Sequence, residues 1–204
     1  MNFLAHAFLA DPDPALMVGG VVGDWIKGPL PGILPGHLAR GVALHRAIDR
    51  HAESTAGFRM SRTRLSPSRR RWSGVLVDIY YDHLLARDWA SHHGQPLSVF
   101  TETVYRAIER EMANVPEGAR QALSLMIKED WLGSYATLAG IADVLQRMAS
   151  RARKPNALAY GESELVQSID AFQRDFTQWL SDARAFADAW ISGGQCAVAG
   201  SNPD

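Results

Sequence analysis

Asp78 and Asp82 stand four residues apart in a stretch, Val75 to Leu85, that is otherwise apolar nearly all round. Such a stretch, read as a helix, must be buried, and the spacing sets both carboxylates on one face. A buried carboxylate is costly unless it is paired or bound to a metal. Two on one buried face ask for a cation. His83 follows directly, and Arg69, Arg70 and Arg71 stand just before the helix. The segment reads as a metal-binding core helix with an anion-attracting entrance.

His45 and Asp49 repeat the same spacing. If the two helices pack together, three carboxylates and an imidazole converge. That donor set suits a hard divalent cation such as Mg²⁺ or Mn²⁺. The plainer reading makes His45–Asp49 and an Asp82–arginine pair structural, and spacing alone leaves both open. Asp24, between Gly23 and Trp25 in an apolar stretch, is a further candidate, set against the reading of a surface acid at a helix end. His6 lies in an apolar segment, where a lone histidine is more often a satisfied core residue than a ligand. His37, His51 and the pair His92-His93 suggest no role.

Arg59, Arg62, Arg64, Arg69, Arg70 and Arg71 form a local basic cluster, with Arg46 and Arg50 upstream. Phe58 and Trp72 are its only aromatic company, so single-stranded nucleic acid is not the natural partner. Arginine forks suit phosphate or an acidic protein surface, while a plain solvated face would explain the charges equally well. The chain has no Gly-x-Ser-x-Gly and no Cys-x-x-Cys.

The elements that must position these residues are all helical. Apolar residues recur at helical spacing from about Gly36 to Arg62, from Pro67 to about His93, and over about 98–114, 116–130, 137–151 and 163–191. Shorter helices are expected over 2–10 and from Pro14, capped by Asp13, to Ile26. Gly19, Gly20 and Gly23 inside the latter would cost helix stability but permit close backbone packing. Nothing alternates with period two. The expectation is a single-domain, all-α bundle of about seven to nine helices over residues 1–192, with a flexible tail over 193–204.

Composition sets the outer bounds. The 204 residues are 47% apolar and 21% charged, with a net charge of -1. That is ordinary for one globular domain and offers no overall field for nucleic acid. The one cysteine, Cys196, excludes a disulfide framework and points to a reducing cytoplasm. The N-terminus makes a poor signal peptide, and no apolar run is long enough to span a membrane.

Taken together, these stretches resemble the acyl-carrier-protein phosphodiesterases, themselves similar to a distorted HD-domain phosphohydrolase. The resemblance rests on Asn2-Phe3-Leu4-Ala5-His6, Gly23-Asp24-Trp25-Ile26-Lys27-Gly28, Gly41 to Asp49 with its His45-Arg46-Ala47-Ile48-Asp49, and Arg69-Arg70 through Asp78 and Asp82-His83-Leu84 to Trp89. Weaker matches are Trp131, Tyr135 and Met148 to Arg151. Two departures stand out: Ala52-Glu53 where Thr-Asp is usual, and Trp25 where Phe is common.

The resemblance implies hydrolysis of the phosphodiester that joins 4′-phosphopantetheine to a serine of holo-acyl carrier protein, with Mn²⁺ or Mg²⁺ as cofactor. It implies Asp24, His45, Asp78 and Asp82 around the metal, and Asp24, His6 or His83 in proton transfer or orientation. Asp49 and Arg46 would support them from behind, and Arg62, Arg64, Arg69, Arg70 and Arg71 would dock the acidic carrier. The alternatives are an HD-like phosphohydrolase acting on nucleotides and a non-catalytic helical module that docks an acidic partner.

Overall fold

The structure is a computed structural model that describes residues 3–151 and 156–199, the side chains of 194–199 excepted. Among the described residues there are eleven α-helices and no strand: α1 (Phe3–Leu9), α2 (Pro14–Val22), α3 (Gly36–Ser54), α4 (Ala56–Arg64), α5 (Ser73–Arg87), α6 (Leu97–Glu111), α7 (Glu117–Lys128), α8 (Trp131–Ser134), α9 (Leu138–Arg151), α10 (Glu162–Gln167) and α11 (Ile169–Ala199). No helix among them is long and apolar enough to cross a membrane.

The all-helical expectation holds, and the count rises because two long patterns are interrupted and one short helix is added. Thr55 is extended (φ −76°, ψ 147°) and separates α3 from α4. Its hydroxyl donates back to Ala52 O at 2.8 Å, which closes the end of α3. Ser168 separates α10 from α11, and α8 adds a single turn. The core helix is also shorter than its apolar run suggests. Glu164 accepts from the Ser66 backbone N–H and hydroxyl at 2.9 and 2.6 Å, and Arg69 donates to the same carboxylate. These bonds hold 66–69 in a turn, a 3₁₀ turn follows over Arg70–Trp72, and α5 begins only at Ser73. The backbone expected as a tail is helical as far as Ala199, and residues 200–204 lie outside the described residues.

Packing explains the order of the elements. α1 is buried on every side, Phe3 through Leu9, and lies against α2, α5 and α11. α5 is apolar all round and touches α1, α4, α9 and α11. α11, about 46 Å long at 1.5 Å per residue, runs along α3, α4 and α5. α2 starts as its sequence indicates: Pro14 is its first residue, and Asp13 Oδ1 accepts from the N–H groups of Ala15 and Leu16 at 2.9 and 3.1 Å.

The glycines in α2 serve close packing. A Cβ on Gly19 would stand 2.4 Å from Gly41 Cα on α3, so the two backbones meet glycine to glycine. This crossing brings the end of α2 and the middle of α3 together, and with them Asp24 and His45.

Candidate functional site

His45 is the centre of the arrangement. It is buried on α3, and its Nδ1–H donates to Gly20 O on α2 at 2.8 Å. A backbone carbonyl on one ring nitrogen fixes the tautomer and turns the other outward. His45 Nε2 therefore faces two carboxylates, Asp49 Oδ2 at 3.2 Å and Asp24 Oδ1 at 3.7 Å. Gly23 makes room for the ring: a Cβ there would stand 2.4 Å from His45 Cγ.

His6 completes the group from α1. Its ring lies against that of His45, centroids 4.0 Å apart, and its Nε2 is 3.0 Å from Asp49 Oδ1. Asp49 thus faces both imidazoles, one with each oxygen. One donor atom from each of His6, His45 and Asp49 falls within 4.8 Å of the others, so the three could hold a metal ion.

The electrostatics separate the two rings. Burial disfavours a charge on His6, the neighbouring His45 charge disfavours it further, and its pKa falls to about 4. Burial opposes charge on His45 as well, but the carboxylates of Asp24 and Asp49 beside it win and raise it to about 9. Partial burial would raise Asp49, yet its bonds to His45 and His6 hold it well below the usual carboxylate range. Asp24 is treated the same way: burial is outweighed by His45, and its pKa falls to about 2. At neutral pH the site holds a neutral imidazole, an imidazolium and two carboxylates. The carboxylates that hold a proton on His45 Nε2 would hold a cation in its place. His6 Nδ1 is buried and has no hydrogen-bond partner among the described residues.

The sequence-selected residues divide. Asp24, His45, His6 and Asp49 are brought together. Asp78 stands within electrostatic reach: burial pushes its carboxyl up, and the charges of Asp49 and Asp24 push it further. It lies outside the group that could hold a metal. Asp82 goes elsewhere. Fully buried, its two oxygens accept the backbone N–H groups of Leu4 and Ala5 at 3.1 and 2.8 Å. It caps α1 and so positions His6 one residue later. His83 faces away, its Nδ1–H donating to Tyr135 O at 2.7 Å. Its Arg87, Leu138 and Val166 surroundings form a separate hollow.

The cap makes Asp82→Ala a stability mutant. Two buried N–H groups would be orphaned, at about 1–3 kcal/mol each. For a chain of this size that lowers Tm on the order of 10 °C. Asp82→Asn keeps one acceptor oxygen and should lose less. Calorimetry decides: an unchanged Tm for the alanine variant contradicts the cap.

Three of the five arginines expected to dock the carrier are engaged. Arg62 pairs with Glu53 at 2.7 Å, which is where that departing residue points. Arg64 pairs with Asp175 through two bonds of 2.6 and 3.1 Å. Arg69 pairs with Glu164 at 2.8 Å and donates to Ala157 O and Ala159 O. Arg70 and Arg71 are exposed. Arg46 donates to Ile26 O and Gly28 O at 2.9 and 2.8 Å, holding the loop that carries Lys27.

Two hollows flank Asp24. A polar pocket of about 350 Å³ is lined by Asp24, Lys27, His45, Arg46 and Asp49. A cavity of about 560 Å³ on the other side is mostly apolar, with Phe3, Trp25 and Trp131 in its wall. In the sequence, Lys27, Phe3, Trp25 and Trp131 stood only as parts of the resemblance and had no role of their own, because the pocket and the wall form only in the tertiary packing.

A model of the family described as acyl carrier protein phosphodiesterase matches residues 1–183. The chain is 32% identical over 180 residues to a protein named acyl carrier protein phosphodiesterase from Pectobacterium atrosepticum, covering 88% of this chain and 93% of that one. A protein of the same name from Yersinia pestis is 33% identical over 160 residues, 78% of this chain and 83% of its own. One from Escherichia coli is 29% identical over 182 residues, 88% and 93% of the two chains. No solved structure matches. The matched span takes in α1, the Asp24 turn, the His45 helix and α5, and the chain belongs to the acyl carrier protein phosphodiesterase family.

Proposed function

We propose that the protein is a metal-dependent phosphodiesterase that removes 4′-phosphopantetheine from the serine of holo-acyl carrier protein. The observation that carries this reading is the meeting of His6, His45 and Asp49, the last two lining one polar pocket with Asp24, in a chain of that family. His6, His45 and Asp49 would hold the metal. Two imidazoles favour Mn²⁺ over Mg²⁺, which prefers an all-oxygen shell. When bound, the metal lowers the pKa of water and neutralises phosphoryl oxygen charge.

The remaining steps belong to the chain. Water oxygen bonds to phosphorus, the bond from phosphorus to the serine Oγ breaks, and the serine leaves as a hydroxyl. Asp24, kept ionised beside His45, can accept a proton from the water, and that proton balances the one the serine Oγ takes up as it leaves. Lys27 lines the pocket as a cation for the diester, on the loop that Arg46 ties down. Asp82 supports the site through α1, and Asp78 lies within electrostatic reach of it. Of the five arginines expected to dock the carrier, Arg70 and Arg71 are exposed and take part in none of the ion pairs above, which suits them to an acidic carrier surface. The HD-like kinship is supported by histidines and carboxylates converging between helices, and the lone Cys196 suits the cytoplasm.

Removal of the metal tests the reading. Dialysis against a chelator should abolish release of phosphopantetheine from holo-carrier, and Mn²⁺ should restore it. Full activity in the chelated protein would contradict it. Hydrolysis of free nucleotides in preference to holo-carrier would favour the nucleotide alternative.

A further inference from the structure

Asp24 lines both hollows, so the polar pocket and the apolar cavity meet at its carboxylate. The cavity, at about 560 Å³, has the size of a small-molecule site. Phe3 and Trp25 stack at 5.3 Å with ring planes 7° apart and make one flat panel of its wall. Ile79 adds to it from α5, Ala122 from α7, and Val144 and Met148 from α9. Arg147, also lining the space, lies over the Trp131 ring at 5.3 Å and pairs with Glu129 at 3.1 Å. The wall is therefore built from several distant segments around one space, with few polar groups, among them the guanidiniums of Arg147 and Arg151.

We propose, resting on the carrier-phosphodiesterase reading, that this cavity is the binding site for the pantetheine arm. A diester held beside Asp24 has two organic substituents. One is a serine embedded in a protein surface, which is too large to enter. The other is a narrow chain with a gem-dimethyl carbon and two amides, largely apolar with a few hydrogen-bonding groups. An apolar cavity with a few convergent polar groups is matched to a ligand of that kind. The arm therefore lies along the Phe3–Trp25 panel, and the carrier stays outside, on the side of the polar pocket.

Pantetheine itself, without phosphate or carrier, is the probe. Trp25 and Trp131 line the cavity, so millimolar pantetheine should change the indole fluorescence of the metal-free wild-type protein saturably. Ala122→Phe and Val144→Phe each fill part of the space. Each is expected to weaken pantetheine binding and raise KM for holo-carrier at least about tenfold, with helical content and metal retention preserved. If wild type leaves holo-carrier uncut yet binds pantetheine, and the phenylalanine variants lose that binding, the functional reading fails while the cavity assignment stands. The assignment is overturned if wild type gives no saturable change with pantetheine. It is equally overturned if folded phenylalanine variants keep wild-type KM and pantetheine binding.

Discussion

Asp49→Ala is expected to strip the protein of its metal and lower kcat/KM by more than the ~10–100-fold that loss of a supporting residue costs. The reason lies in its two oxygens. One faces His6 Nε2 at 3.0 Å and the other His45 Nε2 at 3.2 Å, so one side chain joins both imidazoles. Its side chain is 51% exposed, so truncation opens no cavity in the core, and the fold should survive. Without it, His45 Nε2 keeps Asp24, at 3.7 Å, as its carboxylate partner. Asp49→Asn preserves shape and one acceptor but removes the charge, and should resemble alanine in metal retention. Metal analysis and initial rates on holo-carrier measure both effects. An alanine variant with wild-type metal content and rate would return the site to Asp78 and its neighbours.

Gly23→Ala should be nearly as damaging, although glycine carries no chemistry. Gly23 has helical backbone angles (φ −52°, ψ −37°), which alanine adopts freely. On backbone grounds the change should be favourable, by up to ~1 kcal/mol. The added methyl, however, would stand 2.4 Å from His45 Cγ and 2.5 Å from Cδ2. The ring cannot give way cheaply, because its Nδ1 is tied to Gly20 O and its face is covered by His6. The clash should cost about 1–3 kcal/mol and swing Nε2 away from Asp24 and Asp49. Metal affinity and activity fall on the order of 10–100-fold, as for other disruptions of ligand orientation. Gly74→Ala is the control, since a Cβ there meets nothing within 4 Å; it should leave both unchanged. If Gly23→Ala matches Gly74→Ala, the packing account of the site is wrong.

Much of the fold was legible in the sequence because helical periodicity is a local property. The all-round apolar character of 75–85 announced the buried helix correctly. Its start was not legible, because the turn at 66–69 is held by Glu164, about a hundred residues further on. The breaks at Thr55 and Ser168 likewise depend on how the flanking helices pack. Gly57 shows it: a Cβ there would stand 2.3 Å from Asp175 O on α11, so α4 must turn to lie close against that helix.

The site was legible in part. His45 and Asp49 belong to one helix, and their spacing gave the pair directly. Asp24 stood out as an acid among apolar residues. His6 could not be distinguished from a core histidine, because its partners come from α3, 43 residues away for Asp49. Asp82 was drawn into the metal set by the rule that buried carboxylates need a cation. A helix N-terminus satisfies the same need, with unpaired N–H groups and a positive dipole end, and Leu4 and Ala5 supply it. The arginine cluster shows the same limit: Arg64 finds Asp175 across 111 residues, so neighbours in sequence were poor guides to free charge.

The most direct test weighs the carrier. Holo-acyl carrier protein incubated with the purified protein and Mn²⁺, then examined by intact mass spectrometry, should lose the mass of phosphopantetheine less that of one water, while Asp49→Ala leaves it unchanged. A carrier that keeps its mass with the wild-type, metal-loaded protein would contradict the account.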